Sequence, residues 1–239
     1  MRLLVDFLCR FGWGLAAALA VTPVAVVPAG FFRVNLLVVL GLASVAACLA
    51  WAEVPGPAWS LATVAAVVAW VGSIAWFGER TRSGMVLCRV TAVCLAAATA
   101  LVQPRLDATA AAAALVSGLV VGLTVHAMLL GHWYLNAPGM SVSALRRMID
   151  WALAVWAVQL VICLVTIAGD PTARPAAGDT ATALSSLRWL SGLIGLPVLL
   201  VMSRKTLDIP NTQSATGILY VACLAAILGE LTAQLLQAA

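Results

Sequence analysis

The chain has 239 residues, 64% of them hydrophobic and 9% charged, with a mean hydropathy of +1.08 and a formal net charge of +4. A water-soluble domain of this length cannot hide so much apolar surface, so that class is excluded. The basic residues are spread over short connections, with no run dense enough for nucleic acid or for capture of anionic lipid.

Lipid as solvent demands that every backbone N–H and C=O be paired within the spanning structure. Ala and Leu dominate and alternating β-branched runs are few, so helices satisfy that demand and a barrel does not. The fold class is therefore all-α, a polytopic transmembrane helix bundle, read as a single integral-membrane domain over residues 1–239 with no extramembrane domain.

A span needs about twenty mostly apolar residues. Eight segments meet that length: 5–26, 32–52, 57–77, 85–103, 108–134, 145–169, 184–204 and 212–237. Asp6 and Arg10 interrupt the first one, which sets it apart from the apolar core of a signal peptide, and it is read as a retained helix. Pro23 and Pro28 either end that helix early or kink it. Punctuation follows at Pro55-Gly56-Pro57, Glu79 to Gly84, Gln103-Pro104-Arg105, Asn136 to Gly139 and Asp208-Ile209-Pro210. The stretch Asp170 to Thr182 is small, polar and proline-containing, and reads as the one long external loop.

Eight spans place both termini on one face. That face holds Arg2, Arg10, Arg105, Arg174 and Arg188; the other holds Arg33, Arg80, Arg82, Arg89, Arg146, Arg147, Arg204 and Lys205. The richer set belongs inside, so the termini are expected outside. Alanine-rich, lysine-poor usage points to a bacterial inner membrane. The cysteines Cys9, Cys48, Cys88, Cys94, Cys163 and Cys223 fall within apolar segments, never as C-x-x-C, and read as small buried hydrophobes.

Polar side chains inside spans need shelter, and these are the candidate functional residues. In the fifth segment Gly118, Gly122 and His126 follow at i, i+4, a seam that admits another backbone closely. His132 comes about 9 Å further on, and both imidazoles are expected to lean toward protein. The eighth segment carries Thr216, Tyr220, Cys223, Ile227 and Glu230 on one stripe, and the sixth carries Trp156, Gln159, Cys163 and Thr166. If segments five and eight are neighbours, His126, His132, Asn136, Gln213 and Tyr220 line one ligand pocket near the cytoplasmic side. Arg10, Arg188 and Glu230 form a second group, read as an internal ion pair or a pathway. Arg10-x-x-x-Gly14 is faintly echoed by Arg188-x-x-x-Gly192.

No G-x-S-x-G, H-E-x-x-H or paired aspartates occur, so no catalytic centre of its own is expected. No metal site is expected either. A histidine near neutrality can donate to a quinone carbonyl or exchange a proton, which makes a quinone-like ligand the first cofactor reading. Haem comes second, because bis-histidine ligation normally draws on two helices and both histidines here share one. The first functional reading is thus a ligand-binding membrane subunit of a redox or energy-coupling complex, whose partners are the bilayer and other subunits. A small-molecule or ion transporter using Glu230, Arg10 or Arg188 is the alternative, and a ligand-free structural or assembly protein a third. Eight spans with both termini outside is similar to the anchor subunits of some quinol-linked oxidoreductases, a likeness of topology with no motif residues to carry over.

Overall fold

The computed structural model describes residues 1–54, 56–103, 107–137, 140–169, 179–209 and 211–238. The described residues form helices joined by short connections: α1 (Arg2–Val21), α2 (Ala29–Glu53), α3 (Ala58–Phe77), α4 (Thr81–Val102), α5 (Ala108–Asn136), α6 (Ser143–Gly169), α7 (Asp179–Arg188), α8 (Leu196–Thr206) and α9 (Thr212–Ala238). A π-helical stretch, Trp189–Gly195, joins α7 to α8, so Asp179–Thr206 runs as one span. Among the described residues eight helices are then long and apolar enough to cross a membrane, and the chain is an all-α polytopic bundle.

Local chemistry sets the helix ends. Pro23 disfavours helical dihedrals at the residue before it, and Thr22 is extended at φ −69°, ψ 131°. Helix α1 therefore stops at Val21 rather than running to 26. The expected loop from Asp170 to Thr182 is shorter on its far side, because α7 starts at Asp179; residues 170–178 lie outside the described ones. In the seventh span Pro197 has no N–H to offer and its ring crowds the carbonyl four residues back. The wider π turn beginning at Trp189 sits directly ahead of it.

The packing forms two four-membered rings. Helices α1, α2, α3 and α4 close one; α5, α6, the α7–α8 span and α9 close the other; α1 against α5 joins them. Apolar side chains gain little by leaving lipid for one another, so close backbone approach through small residues drives such packing. Buried Ala43, Ala46 and Ala50 of α2, with Ala58, Ala62, Ala65 and Ala69 of α3, show the pattern. The joint between the rings is tighter still. A Cβ on Gly14 or Gly122 would land inside the backbone of the facing helix, and one on Gly118 would lie 2.6 Å from the Arg10 carbonyl oxygen. The two Arg-x-x-x-Gly stretches both mark backbone crossings: Gly14 meets Gly118 and Gly122, and Gly192 meets Gly229 of α9.

Candidate functional site

Register along α5 and α9 positions the first group of polar residues. A Cβ on Gly131 would meet the Thr216 hydroxyl at 2.6 Å, and Cys223 Sγ lies 3.6 Å from the Thr124 carbonyl oxygen. Rising numbers on one helix oppose falling numbers on the other, so the pair is antiparallel. That register puts Asn136 level with the first turn of α9, where Gln213 stands. Tyr220 Oη reaches back to His132 Nδ1 at 3.2 Å, with the rings near perpendicular at 79°. Asn136 Nδ2 donates to the His132 carbonyl at 3.4 Å.

His132, Asn136, Gln213 and Tyr220 are all exposed on the outer face of the bundle, Tyr220 by 46%. Between Gln213 and Tyr220 on the same face lies Gly217, where an added Cβ would meet no atom within 4 Å, so the surface there is open. The four side chains thus stand on an exposed α5–α9 face, with His132 and Tyr220 in direct contact. His132 was expected to lean into protein. It does not, because α1 has already ended at Val21 and covers no further turn of α5.

His126 stands apart from this group. It is 0% exposed, its Nε2 lies 2.8 Å from Thr22 Oγ1, and its ring meets Phe31 edge-on at 5.3 Å between centroids. The Thr22 hydroxyl also lies 2.7 Å from the Ala18 carbonyl. Having a single hydrogen, it donates there and accepts from His126 Nε2–H. His126 Nδ1 is left without a partner. The imidazole therefore ties α5 to the C-terminal end of α1 and does not join Tyr220. Sequence spacing gave no sign of Thr22, since periodicity shows which residues share a face and not which helix that face meets.

The second group gathers near the two termini. Arg10 spends all five of its N–H groups. Nε donates to Asp6 Oδ1 at 2.9 Å and Nη2 lies 2.6 Å from Asp6 Oδ2; Nη1 donates to Glu230 Oε1 at 2.8 Å and to Ser117 Oγ at 3.2 Å; Nη2 also donates to Gln103 Oε1 at 3.3 Å. Gln103 Nε2 donates to Asp6 at 2.8 Å, and Gln234 Nε2 donates to Glu230 at 2.8 Å. Arg10 and Glu230 are each only 4% exposed. Asp6, Gln103, Ser117 and Gln234, drawn from α1, from the residue capping α4, and from α5 and α9, are members that sequence reading left out; Asp6 at i−4 from Arg10 was the one locally visible signal.

Arg188 is half-buried and donates to Cys163 Sγ at 3.5 Å, with no carboxylate partner among the described residues. It lines, with Gln159, Ser117, Gly192, Gly229 and Glu230, a cavity of about 10 Å³. That is room for about one water molecule. Asp6, Glu230 and Arg10 carry one excess negative charge when ionised, and Arg188 across the cavity offsets it. No group of three or more His, Cys, Asp or Glu side chains suited to a metal occurs among the described residues. Comparison with protein-family models, with characterised proteins and with solved structures finds no match for this chain.

Proposed function

We propose that this integral membrane protein is a ligand-binding subunit that takes a quinone-like carbonyl compound from the bilayer at the exposed face shared by α5 and α9. The observation that supports it is the His132–Tyr220 hydrogen bond on an exposed face. A neutral imidazole and a phenol hold one mobile hydrogen each. Their mutual bond uses one, which leaves the other for a carbonyl oxygen. Asn136 and Gln213 on the same exposed face offer further donors, and Gly217 leaves the surface open to a flat ring. With few residues outside its spans, the protein would take its redox centre from partner subunits in a multi-pass complex. By the basic excess at the end opposite the termini, this face would lie toward the cytoplasm of a bacterial inner membrane.

The transporter reading fares less well. Glu230 is paired directly with Arg10, every Arg10 donor is used, and the adjoining cavity holds about one water. A buried ion pair whose cation has every donor engaged fastens helices together more readily than it conducts.

The test is an absorption spectrum of detergent-purified protein with mass spectrometry of co-extracted small molecules. A quinone-class compound near one per chain, lost in the His132→Ala/Tyr220→Phe double variant, supports the reading. A Soret band retained in that variant, or an empty bundle, overturns it.

A further inference from the structure

Helix α6 is the span least covered by the rest of the bundle, with only 11% of its most apolar window buried. One face carries Arg147, Trp151, Ala154, Val158, Val161 and Val165 at alternating steps of four and three, and all are exposed. Along this face the chemistry runs from charged to aromatic to aliphatic. At its charged end an open groove of about 400 Å³ is lined by Ser143, Arg146, Arg147, Asp150 and Trp151.

Charge within the groove is unevenly settled. Arg146 donates to the Leu207 carbonyl and sits 3.3 Å from Asp208 Oδ1. Asp150 is held at 2.9 Å by Arg204, which also reaches Asp208 at 3.4 Å. Two arginines thus balance two aspartates. Arg147 has no hydrogen-bond or ion-pair partner among the described residues. Its guanidinium is the groove's uncompensated charge, beside the Ser143 hydroxyl and the half-exposed Trp151 indole.

We propose that this groove binds the phosphate of an anionic phospholipid, whose acyl chains lie along the α6 stripe. A guanidinium meets a phosphate in bidentate fashion, and an interfacial tryptophan marks the headgroup level. From Trp151 to Val161 the helix rises about 15 Å, half of a hydrocarbon core about 30 Å thick and so one leaflet deep. Sequence reading saw no dense basic run. The fold makes this cluster by bringing Arg146 and Arg147 of α6 beside Arg204 of α8.

The test is native mass spectrometry of the full chain in detergent, titrated with phosphatidylglycerol or with phosphatidylcholine of the same acyl chains. One lipid-facing arginine gives the anionic lipid a preference of about fivefold. Arg147→Gln should reduce that preference to near unity without changing the melting temperature. Arg82→Gln, an exposed arginine at the same end of the bundle, should leave it intact. Equal retention of the two lipids by the parent protein overturns the proposal, as does an equal loss of preference in both variants. Millimolar inorganic phosphate should leave bound phosphatidylglycerol in place; its displacement would mark a free-anion site and refute the lipid assignment.

Discussion

Arg10 and Glu230 lie 220 positions apart in sequence and 2.8 Å apart in the fold, tying the first helix to the last inside an apolar bundle. Each charge has traded water for protein partners, which holds only while the whole set is present.

Removing Arg10 is therefore expected to hurt more than removing Glu230. Arg10→Ala strands two carboxylates that shared one cation, Asp6 and Glu230. Breaking a buried pair this way costs about 3–5 kcal/mol. Glu230→Gln keeps an acceptor for Arg10 and leaves Asp6 as counter-charge, so its loss should be the smaller of the two. Thermal melting in one detergent reads both, and equal stability of the two variants would contradict the arrangement.

Glycine substitutions should separate by position. Gly122→Ala drives a methyl into the α1 backbone, which cannot yield as a side chain would. Overpacking of this kind costs about 1–3 kcal/mol or more. Gly41→Ala meets nothing within 4 Å and should be neutral or slightly stabilising, since alanine is the better helix former. Folded yield and melting temperature across the pair check this.

Thr22→Val should destabilise although it keeps the side-chain volume. It removes the acceptor of His126 Nε2–H and leaves that donor buried and unpaired. The cost is about 1–3 kcal/mol. Because His126 is buried away from the exposed His132–Tyr220 face, ligand retention by the folded fraction should be unchanged. A loss of ligand there would put His126 back in the site.

At the start of α5 the Thr109 hydroxyl and amide donate to the Asp107 carboxylate and hold it below its usual range. A carboxylate depressed in the fold adds stability that is present above its unfolded pKa, near 4, and lost as pH falls through the folded value. Melting scans from about pH 5 to pH 3 should show Asp107→Asn less acid-sensitive than the parent chain. Identical pH profiles would count against the cap.

The spans were legible because one property, a run of about twenty apolar residues, decides them. Their ends moved by up to five residues, at α1 because Pro23 intervened. The glycine seam of α5 was legible too, since i, i+4 spacing fixes a face. The partners of that face were not. Nothing near Arg10 announces Gln103 or Gln234, and nothing near His126 announces Thr22, because helix adjacency comes from packing between distant segments. The exposure of His132 was hidden for the same reason: it depends on where α1 stops.

The most direct measurement is titration of a short-chain quinone into the protein in nanodiscs, followed by quenching of tryptophan fluorescence. The account expects saturable binding, weakened about tenfold by His132→Ala or Tyr220→Phe, as loss of one hydrogen bond implies, and unchanged by His126→Ala in the folded fraction. Binding that is unsaturable, or equally strong in the His132 and Tyr220 variants, would contradict it.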